Sequence, residues 1–332
     1  MRAKNTKKIL TTGTGRFIIA FVGDVAQLGE RTVRIREVKG SNPSVSTKKN
    51  EIFKAGAKDF RLFRYIGGFM TDFKLPQSIF NKILRAVVEF ELIEDGDEIL
   101  IGISGGKDSL LLTYALACLK YRTKKQFSMR ALTIDAKFGG DFVEKLVGVK
   151  KFCEELEIPH EVREIDIAGL IREQNNKNAC YTCAYFRRAA MNRRANELGA
   201  NKVAYAHHLD DAIETFMMSL LSSGQLKTFQ PKTYLDKTKV TVIRPLVYVR
   251  EFEIEKFAER RGLEVLKSPC PFDGLTNRDR VKKLIFSLSK DFPDLFNHLA
   301  AAIRQSAIIE LWDAPKTRQE MRETYFSFRN ML

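Results

Sequence analysis

A short apolar strand that runs into a polar, glycine-bearing turn and then a helix limits this chain's fold more than any other feature. Glu98-Ile-Leu-Ile-Gly-Ile103 reads as the strand, Ser104-Gly-Gly-Lys-Asp-Ser109 as the turn and Leu110–Tyr121 as the helix. Gly105 and Gly106 permit positive φ and let backbone N–H groups face outward as an anion nest. The helix start adds its positive dipole end at the same spot. Lys107 brings a point charge, Ser104 and Ser109 bring hydroxyls, and Asp108 can hold Mg²⁺ beside bound phosphates. Two glycines alone would suit a tight packing turn. The strand–turn–helix context makes the segment a phosphate loop, and its glycines are too closely spaced for the Walker pattern.

The rest of the chain continues this alternation. Ile79, Ile83, Val87 and Phe90 recur at helical spacing within Leu75–Ile93, and Phe127–Ile134 is a second strand. Phe142, Leu146, Val149, Cys153 and Leu156 mark one apolar helical stripe, and Tyr185–Leu198 is a helix between strands at Val162–Ile165 and Lys202–Ala206. Such alternation predicts an α/β fold with a doubly wound, mainly parallel sheet, whose ligands bind beyond the carboxyl ends of the strands. After Arg244-Pro245 the pattern turns helical, over Glu251–Arg261, Arg278–Ser289 and Phe292–Ile309. The expected organisation is a domain over 70–250 followed by a small helical extension over 251–332.

Residues 1–69 read differently. Of the 56 Lys and Arg and 41 Asp and Glu in the chain, this segment holds 15 basic against 5 acidic, leaving 41 against 36 for the remainder. Gly23-Asp-Val-Ala-Gln-Leu-Gly-Glu-Arg31 and Gly40-Ser-Asn-Pro-Ser44 look like a tRNA gene read as codons: GTA GCT CAG TTG resembles a D-arm and GGT TCG AAT CCC a T-arm. The expectation is a start near Met70, with residues 1–69 an N-terminal extension lacking a stable packed fold. A basic arm for RNA is the alternative. The longest apolar run there, Phe17–Val22, falls far short of the roughly 20 residues a membrane helix needs and is too short for a signal-peptide core. A cytoplasmic protein without a membrane is expected.

Five cysteines over this length make no disulfide framework and suit a reducing compartment. Cys118 and Cys153 lie on apolar helical faces and read as core. Cys180-Tyr-Thr-Cys183 instead follows a polar loop and opens a helix bearing Arg187, Arg188, Arg193 and Arg194, and Cys270 follows in Ser268-Pro-Cys-Pro. A CxxC pair serves zinc, redox exchange and clusters alike. Three thiolates fall one short of a closed zinc site but would hold a [4Fe–4S] cluster with one iron open, as sulfur handling requires. The helix start and nearby arginines predict lowered thiolate pKa values. The arginines read as contacts to the phosphates of a polyanionic partner, or as a solvated helix face.

The phosphate loop resembles the PP-loop of the N-type ATP pyrophosphatases, which cleave ATP between the α and β phosphates. The order of SGGKDS, Cys180-x-x-Cys183 with Arg187-Arg188, Ala206-His207-His208-Leu-Asp210-Asp211, Ile243-Arg-Pro-Leu246 with Tyr248 and Arg250-Glu251, Pro269-Cys270 and Asn277-x-x-Arg280 is similar to the tRNA 2-thiocytidine synthetase group. The likeness runs from Leu75 to Ile309. It implies a tRNA-thiolating enzyme using ATP, Mg²⁺ and a [4Fe–4S] cluster on Cys180, Cys183 and Cys270. By the same likeness Ser104–Ser109, Asp135 in Thr133-Ile-Asp135, His207, Asp210 and Asp211 bind the nucleotide or its metal. A cysteine desulfurase as sulfur donor and a homodimer are further implications. The family usually carries a second CxxC downstream, where this chain has Cys270 alone.

Lysidine synthetases share a similar Ala-His-His-Leu-Asp-Asp motif but not the cysteine trio, and 2-thiouridine enzymes with terminal zinc fingers would need flanking Cys/His clusters. A basic RNA-binding or redox-sensing protein with a degenerate loop is the reading from another class.

Overall fold

Strands that are apolar on both faces can be buried only in a parallel sheet covered by helices on either side. The computed structural model of the chain is built that way. It describes residues 6–11, 17–25, 30–38, 75–139, 142–173, 179–272, 274, 276–304 and 317–329. The chain divides into two units, Met1–Lys74 and Leu75–Leu332.

In the first unit β1 (Thr6–Thr11), β2 (Phe17–Val25) and β3 (Glu30–Val38) pair as an antiparallel sheet in that order. Side-chain packing in residues 1–69, on which the expectation of no stable fold turns, lies outside the described residues.

The second unit opens with α1 (Gln77–Glu89), β4 (Glu98–Gly102), α2 (Lys107–Arg122) and β5 (Ser128–Asp135). It continues with α3 (Phe142–Glu155), β6 (His160–Glu164), α4 (Ile167–Glu173), α5 (Ala179–Glu197), β7 (Lys202–Ala204) and α6 (Leu209–Ser223). The hairpin β8 (Lys232–Leu235) and β9 (Val240–Ile243) precedes α7 (Glu251–Arg261), α8 (Asn277–Asp291), α9 (Leu295–Arg304) and α10 (Arg318–Arg329).

The sheet order is β6-β5-β4-β7-β9-β8, parallel throughout except for β8, which runs antiparallel to β9. From β4 the chain winds outward to β5 and β6, then returns to place β7 on the other side of β4. The strand order therefore reverses between β4 and β7, and such a reversal opens a ligand crevice at the carboxyl ends of the strands. At the opposite end, buried Lys202 and Asp97 pair at 2.7 Å, which ties β7 to the entry of β4.

Helix α2 is buried on every side from Ser109 to Leu119, because it lies between the sheet and other helices. Tyr114 stacks on Phe257 of α7 at 5.4 Å, and Arg261 covers its ring at 4.5 Å. The helical extension thus seats α7 on α2. Val281 and Ile285 of α8 join Ile213 of α6 in a second core, with Leu295 and Leu299 of α9 packed against it. Among the described residues no helix is long and apolar enough to cross a membrane.

Candidate active site

The phosphate loop leaves β4 with Gly105 at φ +79°. A Cβ there would lie 2.6 Å from Leu266, whose backbone N–H donates to the Gly105 carbonyl at 2.9 Å. Gly105 is therefore needed twice, for its backbone angle and for the close approach of the segment leading to Cys270. Gly105→Ala is expected to destabilise the fold by about 1–2 kcal/mol from the left-handed angle alone, read as a lowered urea midpoint. Ser109 Oγ accepts from the Ser104 N–H at 3.1 Å and donates to the Gly106 carbonyl at 2.9 Å, closing the turn. Gly106 is the N-cap of α2, and no side chain caps that helix. Its first N–H groups face the loop, as an anion site requires.

Lys107 Nζ lies 3.2 Å from Asp108 and 3.1 Å from Glu251. Burial lowers the lysine pKa, but the Asp108 charge and the Glu251 hydrogen bond outweigh it, so the net shift is upward. Glu251 also accepts from Lys282 at 2.5 Å. Burial opposes its ionisation, yet the hydrogen bonds from Lys282 and Lys107 hold its pKa down to about 2.

Asp210, expected to bind nucleotide or metal, has its carboxylate hydrogen-bonded within the protein. It accepts from Arg250 Nε at 3.0 Å and from the Glu251 N–H at 2.7 Å, fixing α7 against α6. Asp211 forms a capping box with His208 and meets Arg278 at 2.5 Å. His208, buried, brings Nε2 to 3.9 Å from Asp108. His207 turns away to aromatic neighbours, 5.0 Å from Phe229. Asp135, buried at the end of β5, accepts from the Lys137 N–H at 2.9 Å. Among the described residues no three His, Cys, Asp or Glu side chains converge to hold a metal ion.

Glu214 lies 3.4 Å from Arg278. Burial raises its pKa to about 7, against the opposing pull of Arg278. Below pH ~4.5 it is protonated both folded and unfolded; as pH climbs through about 7 the folded state must ionise it, and stability is lost. Glu214→Gln is expected to leave Tm unchanged near pH 4.5 and raise it by several degrees at pH 8. Equal Tm values at both pH values would contradict the assigned burial cost.

Cys180 and Cys183 lie in the first turn of α5, Cys180 exposed and Cys183 half-buried. Cys183 packs with Ala179 and Phe186 on a small core of Ala136, Ile167 and Ile171, directly after Asp135. Cys270 lies close enough that its charge raises the pKa of both. The expectation of lowered thiolate pKa values is corrected: burial raises both, Cys270 and Asp279 add to it at Cys180, and at Cys183 Arg187 offsets it only in part while Cys270 and Cys180 add to it. Cys118 and Cys153 are core, as read, with burial pushing both up to about 12.

The four arginines separate. Arg194 is held by Glu161 at 2.6 Å and Glu197 at 3.0 Å, tying α5 to β6. Arg188 and Arg193 are exposed, while Arg187 faces Cys183 and its Nε is buried without a partner among the described residues. Sequence reading assigned no role to Glu251, Arg278, Lys282 or Glu214. The only signals for them were Arg250-Glu251 and the Asn277-x-x-Arg280 spacing, within which Arg278 is the residue that reaches Asp211.

A phosphate loop at a sheet reversal, capped by an α-helix and flanked by buried carboxylates, defines an ATP-binding PP-loop protein, and the PP-loop domain family matches residues 76–288. The tRNA-cytidine(32) 2-sulfurtransferase of Geobacter sulfurreducens is 36% identical over 231 residues, covering 68% of this chain and 89% of that protein. The enzyme of the same name from Burkholderia ambifaria is 30% identical over 308 residues, covering 91% and 81%. This chain belongs to that family of PP-loop proteins. Among solved structures, the U34-tRNA thiolase NcsA from Methanococcus maripaludis with its [4Fe–4S] cluster superposes with a TM-score of 0.57 at 25% identity, over 69% of this chain and 77% of that one.

Proposed function

We propose that the chain is an ATP-dependent tRNA sulfurtransferase that adenylates the C2 carbonyl of an anticodon-loop cytidine and replaces its oxygen with sulfur. One observation carries this reading: the phosphate loop and the cysteine trio share one edge of the sheet, joined by the Leu266–Gly105 hydrogen bond at 2.9 Å. A pyrimidine carbonyl oxygen is a poor leaving group, and adenylation with loss of pyrophosphate converts it into AMP, which a sulfur nucleophile can displace. Ser104–Ser109 bind the ATP phosphates, and Asp135 lies where the adenosine end would sit. Lys107, held by Asp108 and Glu251, offsets the phosphate charge.

Asp108 suits Mg²⁺, which is commonly bound through one or two carboxylates plus phosphate oxygens and water. Its Oδ1 is buried 3.2 Å from Lys107 Nζ and makes no hydrogen bond of good geometry among the described residues. Asp210 and Asp211, engaged by Arg250 and Arg278, then serve to position α6. Soft thiolates at Cys180, Cys183 and Cys270 fit an iron–sulfur cluster, and three such ligands leave one iron open to sulfur. Arg188 and Arg193 offer their charge to tRNA phosphates, so affinity for tRNA should fall steeply with added salt. A cysteine desulfurase supplying sulfur, a homodimer and a cytoplasmic setting complete the proposal.

Residues 1–69 are proposed to lie outside the working enzyme, so that the native protein's intact mass corresponds to a start near Met70. A native species retaining residues 1–69 contradicts that. For the cluster, protein purified without oxygen is expected to contain about four irons and matching sulfide per chain. Zinc, or no metal in an active anaerobic preparation, would point to persulfide-based chemistry instead.

A further inference from the structure

The ends of β7 and β9 hold a knot of buried polar atoms that the phosphate loop, the carboxylates and the cysteines leave unused. Tyr205 Oη, His207 Nδ1 and Arg244 Nε are buried, and none has a hydrogen-bond partner among the described residues. They form one cluster. The His207 ring lies 5.9 Å from Tyr205 and 5.0 Å from Phe229, and the Arg244 guanidinium sits 5.1 Å over Phe229. Arg244 is anchored through Nη1, which donates to the Gln230 carbonyl at 2.6 Å and to Thr233 Oγ1 at 3.3 Å, so Nε is left over. Tyr205 is fixed in turn by Gly102, where even a Cβ would come within 3.4 Å of its ring.

Buried polar atoms are nearly always paired, and leaving one unpaired is costly. Three around a single aromatic patch suit a polar, flat partner. Position narrows the choice. β7 lies between β4, whose end carries the phosphate loop, and β9. On the other side the Arg188 charge reaches both Tyr205 and Arg244, and neighbouring Arg187 faces Cys183. A ligand in this knot would therefore sit between the adenylating and the sulfur-bearing groups.

Resting on the proposed function, we infer that Tyr205, His207, Phe229 and Arg244 form the pocket that receives the target cytosine. Phe229 offers a stacking face for the base. The Arg244 N–H and the Tyr205 hydroxyl are donors for the N3 and O2 acceptors of cytosine. Burial holds the His207 pKa at about 4, so the imidazole is neutral and has a lone pair for the exocyclic amine. Uracil, with a donor at N3 and an acceptor at C4, mismatches this set. A site built to hydrogen-bond one ligand rejects the analogue that leaves its groups unpaired.

The test uses the full chain prepared without oxygen, as wild type, Tyr205→Phe and Arg244→Lys. Substrates are tRNA transcripts carrying C or U at the target position. Tyr205→Phe is expected to lower kcat/KM for the C transcript by about tenfold to a hundredfold and to narrow the C-over-U preference. ATP affinity and iron content should stay at wild-type values. Its Tm should be equal or higher, because an unpaired hydroxyl has been removed; a residue with only a packing role would show the reverse. If Arg244→Lys does not fold, Tyr205→Phe alone decides. Wild-type kcat/KM and C-over-U preference in Tyr205→Phe overturn the pocket while the proposed function stands. A wild-type protein that thiolates no transcript removes the proposed function and the pocket with it.

Discussion

Asp108→Ala is expected to lower tRNA-dependent pyrophosphate release by about 10²–10³-fold, while the iron content of the anaerobic protein stays unchanged. The size follows from where the carboxylate sits. Asp108 lies in the first turn of α2 beside the loop that cradles the phosphates, 3.2 Å from Lys107 and 3.9 Å from His208. Removing it deletes the carboxylate proposed to hold Mg²⁺ and loosens Lys107, which would retain Glu251 as its acidic partner. Both effects bear on charge that develops as pyrophosphate departs, and preorganised charge in a sheltered site has its greatest effect there. The cysteines lie on other segments, α5 and the loop before α8, so the cluster has no reason to be lost. Activity surviving in Asp108→Ala would remove this residue from the metal role.

Cys270→Ala is expected to abolish both iron retention and thiolation, while ATP still binds. Two cysteines in one helical turn are too few for a stable cluster site, and Cys270 is the further sulfur whose charge reaches both. Cys118 and Cys153 cannot substitute, since both are buried in the core. Metal analysis and nucleoside mass spectrometry on the same preparation read the two losses together. Full iron in Cys270→Ala would show that another group completes the site.

The parts of this molecule that were legible in the sequence are those built by neighbours in the chain. Ser104–Ser109 declares itself because a phosphate nest needs a strand end, two glycines and a helix start in immediate succession. Helices α1 and α3 announced themselves through apolar periodicity. The β8–β9 hairpin did not: its strands have four residues each and lie around the charged turn Asp236–Lys239, so no periodic signal accumulates. Seven-residue α4 was missed for the same reason.

At the site, Asp210 and Asp211 were read just beyond a strand end and lie in the first turn of α6, but their partners were invisible. Arg250 lies 40 residues from Asp210 and Arg278 lies 67 from Asp211, distances no local pattern spans. Arg194 carried the same ambiguity, and its partner Glu161 on β6 lies 33 residues away, beyond any local pattern. Tyr205, Phe229 and Arg244 look like ordinary strand-end residues until the fold shows which of their polar atoms remain unpaired.

The deciding measurement incubates the anaerobic full-length protein with tRNA, ATP, Mg²⁺ and sulfide, then digests the tRNA for nucleoside mass spectrometry. The expected product is 2-thiocytidine, formed only with ATP and accompanied by AMP and pyrophosphate. Lysidine formed in the presence of lysine, or no modified cytidine while ATP is still consumed, would contradict it.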